Sequence, residues 1–269
     1  MNTLIKIAVI PVAGSGSRIR PLSLVMPKEM LATPFGPIIE LVTNELIDSG
    51  IERIIYVTSP GKELIESHLK AVDLHEHPEG KSLSLEFINQ NEIPGNGGAI
   101  LTAVEEKSLT EPFIVVWGDE VFLKNGEKTR SRELLDAYEA IGKPCILLTE
   151  VDEKDIPKCG MAVTEASGIH DRLLKITELV EKPAEWPHEN RHASVGGYVV
   201  DQKMIEYLTK AEKAKDGEVY LAQAIADYIQ DGHELFGVLT ECEWHETGSM
   251  DGYVAAFEAL AQRRKQGIL

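Results

Sequence analysis

Short runs of β-branched and other apolar residues alternate, through the first half of the chain, with stretches whose apolar residues recur at helical spacing. Leu4 to Val12 (LIKIAVIPV) is nearly continuous in apolar residues and predicts a strand covered on both faces. Ile38 to Ser49 carries apolar residues at 38, 39, 41, 42, 46 and 47, which is one helical face, and Gly50 stands where such a helix would end. Arg53 to Thr58, Leu83 to Asn89 and Pro112 to Trp117 predict three further strands. Lys62 to Ala71 and Gly98 to Lys107 predict helices, with polar residues 73–82 as a loop. This βαβαβαβ order implies an α/β protein whose parallel sheet is covered by helices. In such sheets ligands sit at the carboxyl ends of the strands, so the loops after Val12, Asn89 and Trp117 are the places to search for chemistry.

The second half has a different rhythm. Cys145 to Val151, Gly160 to Thr164, Leu173 to Val180, Val195 to Val200 and Leu235 to Glu243 read as strands, separated by turns bearing Pro157, Gly168, Pro183 and Pro187. Helices follow over residues 201–210, 219–230 and 250–265. A mixed sheet that completes the core and builds a second lobe is expected. With no internal repeat and no linker, the expectation is one domain over residues 1–269, with lobes over 1–125 and 126–269.

Composition narrows the function classes. The 269 residues are 26% charged and 43% hydrophobic, the balance of a globular protein, which excludes bulk disorder and low-complexity classes. The net charge of −17 excludes nucleic-acid binding through a broad basic face. It also means that an anionic ligand needs a local cationic cluster or a metal. Cys145, Cys159 and Cys242 form no C-x-x-C pair and read as structural thiols of a reducing cytoplasm. No apolar run approaches the ~18 residues of a membrane span. Leu4 to Val12 is broken by Lys6 and Pro11 and runs into a glycine-rich loop, so it reads as a strand and not as a signal peptide.

That loop is the first candidate site. Ala13-Gly14-Ser15-Gly16-Ser17-Arg18 follows the first strand, and Pro27-Lys28-Glu29-Met30-Leu31 comes soon after. Glycines let backbone approach a ligand, and loop N–H groups cradle phosphate oxygens. Arg18 offers a planar cationic fork and Lys28 a point charge. Taken alone, the same glycines equally make a tight turn and the same cations a solvated surface. Ile19 stands where a dinucleotide fingerprint has its third glycine, which disfavours hydride transfer. Asp119, just after the fourth strand, reads as a metal carboxylate or a helix cap. Glu181-Lys182-Pro183 by itself reads as a solvated turn, and Gln90 by itself as a surface amide. His75-Glu76-His77 lacks partner spacing for a metal and reads as a solvated loop. Glu241 to His245 alternates as a strand would, and Arg263-Arg264-Lys265 suits the end of a helix.

The combination is more specific than its parts. Ile10 to Leu31 (IPVAGSGSRIRPLSLVMPKEML) resembles the opening signature of the sugar-1-phosphate nucleotidylyltransferases, and is most similar to the bacterial UTP–glucose-1-phosphate uridylyltransferase branch. Further segments resemble that branch in the same order: Gln90 with Gly95-Asn96-Gly97-Gly98-Ala99, Phe113 to Asp119, Cys159-Gly160-Met161, Val180 to Pro183, Gly217 to Ile225, and Glu246 to Ser249 with Gly252-Tyr253. The resemblance implies a Rossmann-like, mostly parallel sheet covered by helices, with a mixed-sheet sugar-binding lobe. It implies Mg2+-dependent transfer of a nucleotidyl group from a nucleoside triphosphate to a hexose 1-phosphate, with UTP and glucose 1-phosphate the leading pair. Arg18, Lys28 and Asp119 would then be catalytic. Ala13, Gly14, Gly16, Gln90 and Gly95 would hold the nucleotide. Gly160, Glu181 and Lys182 would hold the sugar phosphate, and Asp119 and Glu246 the Mg2+. No nucleic-acid or membrane partner is implied. Homo-oligomers are common in the family, although no single segment of this chain reads as an interface.

The departures keep alternatives open. The family's late aspartate is Glu246, its histidine is Gly98, the turn after Leu31 lacks the usual acidic-Lys-Pro, and the stretch from Ser67 to Leu83 is short. A thymidylyl-, cytidylyl- or guanylyltransferase and a catalytically silent nucleotide-sugar sensor both remain as rivals at this point.

Overall fold

A computed structural model describes residues 4–90, 93–214 and 216–268. In chain order the strands are β1 (Ile7–Pro11), β2 (Ala32–Thr33), β3 (Gly36–Pro37), β4 (Arg53–Thr58), β5 (Ser84–Asn89), β6 (Phe113–Val115), β7 (Glu120–Leu123), β8 (Cys145–Glu150), β9 (Gly160–His170), β10 (Leu173–Glu181), β11 (His192–Val200), β12 (Leu235–Leu239) and β13 (Glu243–Glu246). The helices are α1 (Ile38–Asp48), α2 (Glu63–Leu69), α3 (Asn96–Lys107), α4 (Arg130–Ile141), α5 (Gln202–Lys210), α6 (Leu221–Gln230) and α7 (Met250–Gln266). The chain divides into two compact units, one made of Lys6–Gln90, Val116–Ser131 and Glu241–Leu269, the other of Met1–Ile5, Asn91–Val115 and Arg132–Thr240.

In the first of these units β1, β4 and β5 run parallel, in the order β5-β4-β1. Ala8, Val9 and Ile10 are fully buried, as are Ile54 to Val57, which is why both strands read as near-continuous apolar runs. Helix α1 buries Ile38, Ile39, Val42, Leu46 and Ile47, the stripe its spacing predicts, and Gly50 leaves it at φ 90°. A short antiparallel ribbon, β7 with β13, pairs Glu120 with Glu246 and Leu123 with Glu243. The expected strand from Leu235 to Glu243 is therefore two strands. Residues 235–239 belong to a sheet, whereas Glu243–Glu246 pairs with β7 instead.

The second unit holds a mixed sheet in the order β6-β11-β8-β12-β10-β9. Only β8 and β12 are parallel, and β11 also pairs with β9. Helix α4 carries no apolar stripe long enough to predict it. Leu134 and Leu135 are buried, while Arg132 faces solvent-side partners in Asp136 and Glu139. The helix is held chiefly by burial of Arg130, Ser131, Glu133, Leu134 and Leu135, with the Arg132–Asp136 pair adding a little at helical spacing. Gly98 lies in α3, and a Cβ there would collide with the carbonyl oxygen of Ile93. The close approach of these two segments is the physical reason for a glycine at this position. Among the described residues no helix is long and apolar enough to cross a membrane.

Gly98→Ala tests that approach. Urea unfolding should show a loss of about 1–3 kcal/mol from overpacking, in spite of the ~1 kcal/mol that alanine gains in helix propensity. A variant as stable as the parent would mean that the two segments are not in contact.

Candidate active site

Three parallel strands deliver their loops to one end of the first unit's sheet. Leaving β1, Val12 donates its N–H to Val57 O at 2.9 Å, and Ser59 Oγ donates to Ala13 O at 3.0 Å. Leaving β5, Gln90 donates its N–H to Thr58 O at 2.8 Å. Gly14 faces open space, with nothing within 4 Å of the position a Cβ would take. Gly16 is needed by the loop itself. It sits at φ 65°, accepts the Ser23 hydroxyl at 2.7 Å, and leaves no slack against Ser23 and the Lys28 stem.

Of the three tight 3-10 turns that follow, Ser17–Ile19 carries Arg18 and Lys28–Met30 carries Lys28. The β7–β13 ribbon brings up the carboxylates. Thr247, which follows β13, donates both its N–H (3.2 Å) and its hydroxyl (2.6 Å) to the carbonyl of Asp119, which precedes β7. Residues 128 positions apart are thereby locked side by side. Lys28 Nζ donates to Asp119 Oδ2, and Arg18 Nη2 stands 3.3 Å from Glu246 Oε1. Gly248 marks where the groups converge. A Cβ there would lie 2.6 Å from Glu246 Oε1, 3.0 Å from Arg18 Nη2 and 3.2 Å from Asp119 Oδ2.

The electrostatics are those of a half-buried cluster. The side chains of Lys28 and Asp119 are 16% and 17% exposed. Burial works against the Lys28 ammonium, but the carboxylates of Asp119 and Glu29 outweigh it and hold its pKa above the ordinary value. Behind Lys28 lies a second pair, Glu29 with Lys62 at 2.9 and 3.0 Å, with Glu29 only 1% exposed. Burial pushes the Glu29 carboxyl up and the Lys62 ammonium down, both toward neutrality.

Asp119 and Glu246 also form a donor set that fits a hard divalent cation. Glu246 Oε1 is buried and accepts no hydrogen bond, while Oε2 accepts from Ser249 at 2.9 Å. That first oxygen, Oε1, meets the Arg18 guanidinium as an ion pair at 3.3 Å without a hydrogen bond, and two carboxylates side by side suit an ion such as Mg2+, which takes one or two protein carboxylates and completes its shell with phosphates and water. Among the described residues no group of three or more His, Cys, Asp or Glu gathers for a metal. His75 pairs with Asp48 at 2.9 Å, and His77 is buried, which corrects the expectation of a wholly solvated loop.

The remaining candidates lie in the second unit. Gly160 and Glu181 face each other across β9 and β10, and a Cβ on Gly160 would stand 3.0 Å from Glu181 Oε2. Lys182, at φ 47°, donates its N–H to Cys159 O at 3.0 Å, and its ammonium lies 3.2 Å from Glu181 Oε1. Gly95 (φ 93°) caps α3, and a Cβ there would collide with Val219 O. Its glycine thus has a packing cause of its own. The structure gathers Arg18, Lys28, Asp119 and Glu246 in one cluster, gathers Gly160, Glu181 and Lys182 in another, and leaves Gly95 against Val219.

The sequence profile of the nucleotidyl transferase family matches residues 7–263. The chain belongs to this family. Two similar relatives are UTP–glucose-1-phosphate uridylyltransferases 1 and 2 of Staphylococcus saprophyticus, at 31% and 32% identity, each covering 93% of this chain and 90% of its own length. Among solved structures, the UTP-bound UGPase of Acinetobacter baumannii is 25% identical with a TM-score of 0.81, over 97% of this chain and 98% of its own. A UDP-glucose pyrophosphorylase crystallised with UDP-glucose shares the fold at a TM-score of 0.85 and 22% identity, over 96% of this chain and 99% of its own.

Several groups around the nucleotidyltransferase cluster were not legible as such in the sequence. Glu29 stands inside a quoted motif, but nothing marks it as buried. Lys62 opens a helix and reads as a surface lysine until Glu29 is placed beside it. Ser249 and Thr247 have only their place after Glu246 as a signal.

Two measurements probe these pairs. Lys62→Met should cost about 3–5 kcal/mol in urea unfolding, because it strands the Glu29 charge, and Glu29→Gln in the same chain should recover most of it. No recovery would show that the two do not act as a pair. Lys28, with its folded pKa raised, contributes stability that is fully present below its ordinary value of 10.5 and is lost as pH rises through the folded value. The stability difference between the parent and Lys28→Met should therefore be flat from about pH 7 to 9 and shrink only above about 10.5. A difference that already changes between pH 7 and 9 would contradict this.

Proposed function

We propose that this nucleotidyltransferase joins UTP and glucose 1-phosphate to give UDP-glucose and pyrophosphate, with Mg2+ as the metal. The names of the similar relatives support this pair of substrates. The observation that carries the chemistry is the convergence of Arg18, Lys28, Asp119 and Glu246 about Gly248.

In the reaction an oxygen of the sugar phosphate bonds to the α-phosphorus while the bond to the β-phosphate oxygen breaks, and pyrophosphate leaves with the electron pair. Such transfers need positioning and charge neutralisation more than covalent help. Lys28 and Arg18 bind the triphosphate and stabilise the charge that develops on the leaving group. Gly14 has no neighbour to displace, so the loop backbone from Ala13 to Gly16 can approach the nucleotide closely. Gln90, at the tip of β5, reads the base. Gly95, which caps α3 against Val219 and Glu218, is assigned to the nucleotide on the resemblance alone. In the second unit, Glu181 accepts hydrogen bonds from sugar hydroxyls over the bare face of Gly160, and Lys182 balances the sugar phosphate.

Charge matching explains why substrate and metal belong together. Arg18 faces Glu246 and Lys28 faces Asp119, so the four groups sum to no net charge. In a chain of net charge −17 that cluster alone is a weak lure for a polyanion. Mg2+ held by Asp119 and Glu246 would supply the missing positive charge and screen the phosphates. The reading also places the enzyme in the cytoplasm, in keeping with its three free cysteines.

Pyrophosphate release measured over the common nucleoside triphosphates and several hexose 1-phosphates tests this proposal. UTP with glucose 1-phosphate should give the highest kcat/KM, and Lys28→Ala should lower kcat by about 10²–10³-fold. UTP at ~100 times its Kd should also add ~2.7 kcal/mol of stability. Turnover that favours another base would correct the substrate, and no turnover with any pair in a folded sample would refute the activity.

A further inference from the structure

The glutamate at position 246 poses a problem of control. It has one more rotatable bond than an aspartate, and an unrestrained carboxylate on it would swing among rotamers. Its surroundings remove that freedom. Gly252 lies where a Cβ would collide with Glu246 O and stand 3.0 Å from Oε2, and Gly248 lies where a Cβ would stand 2.6 Å from Oε1. Two glycines thus open the slot in which the carboxylate rests. Between them, Ser249 Oγ donates to Glu246 Oε2 at 2.9 Å.

Ser249 has a second task. It is the N-cap of α7, and its Oγ accepts the Gly252 N–H at 3.2 Å. A hydroxyl has one hydrogen and two lone pairs. The cap uses a lone pair, because the amide brings its own hydrogen, so the hydroxyl hydrogen is free for the carboxylate. A cap alone does not need that donation. Its effect is to hold Oε2 and leave Oε1 buried, without a hydrogen bond, 3.3 Å from Arg18 Nη2.

We infer that Ser249 is a positioning residue. Its hydroxyl holds one oxygen of Glu246 so that the other is presented, beside Asp119, to a divalent cation. This inference rests on the two-carboxylate reading given under the proposed function. Partners that orient a ligating group from behind are typically worth 10–100-fold in metal affinity.

Three variants separate orientation from capping. Ser249→Thr keeps both the acceptor and the donor. Ser249→Gly keeps nearly all of the cap's stability but has no hydrogen to give Glu246, and Ser249→Ala removes both. Mn2+ binding to the protein without substrates, followed by electron paramagnetic resonance, reads affinity independently of turnover, and the Mg2+ dependence of pyrophosphate release reads it during turnover. Ser249→Thr should bind Mn2+ within about twofold of the parent. Ser249→Gly and Ser249→Ala should bind about 10–100-fold more weakly, with a raised half-saturating Mg2+ and a kcat at saturating Mg2+ that changes little. Ser249→Gly should nearly keep the parent's unfolding midpoint whereas Ser249→Ala lowers it, so a loss of affinity shared by both is not one of capping. If both variants bind Mn2+ within twofold of a parent that binds it, Ser249 is a cap and nothing more. If the parent turns over but binds no Mn2+, the two-carboxylate site fails and the inference with it. If the parent neither binds Mn2+ nor turns over, the proposed function fails too.

Discussion

The contact between the Lys28 ammonium and the Asp119 carboxylate links segments 91 positions apart, and much of the first unit is arranged around it. Neither group would choose a half-buried place alone, because each would lose hydration without return. Together they lie where a parallel sheet ends its strands and where the β7–β13 ribbon begins. The pattern then repeats outward. Arg18 stands by Glu246, and Glu29 is paired with Lys62 behind the turn that carries Lys28. Cations are scarce in this acidic chain, and three of them are committed to this small region.

Helix α7 ties both ends of the ribbon. Its first turn sits beside Glu246 through Ser249, and in its last turn Arg263 donates to Lys124 O and Asn125 Oδ1, just past β7. The basic cluster at the end of the chain is therefore more than a favourable helix terminus, since one of its members clamps the strand opposite Glu243.

Much of the first unit was legible because its strands are buried on both faces and its helix α1 has a clean apolar stripe. The glycine loop and its two cations were legible as residues, but only the resemblance across many segments chose between a phosphate site and an ordinary turn. The β7–β13 ribbon was not legible. The alternation of Glu241 to His245 marked part of β13 as a strand, but β7 carried no such mark, and their pairing depends on partners far away in sequence. Helix α4 was missed for a related reason. Its opening residue, Arg130, is 1% exposed, packed on the Phe122 ring at 4.1 Å and paired with Glu45, and a buried arginine looks like a surface one until those partners are known. Gly98 read as a departure from a family histidine, whereas the nearby Ile93 carbonyl gives a local cause.

The ribbon also orders events in time. Closing a loop of more than a hundred residues has an entropic cost, and it waits for strands that must first exist. During synthesis the glycine-rich loop, Lys28 and Asp119 all emerge well before β13 does. Until then the carbonyl of Asp119 lacks the Thr247 hydroxyl and amide that hold it, and the second acid is absent altogether. Glu246 is therefore the last of the four charged members of the cluster to be synthesised.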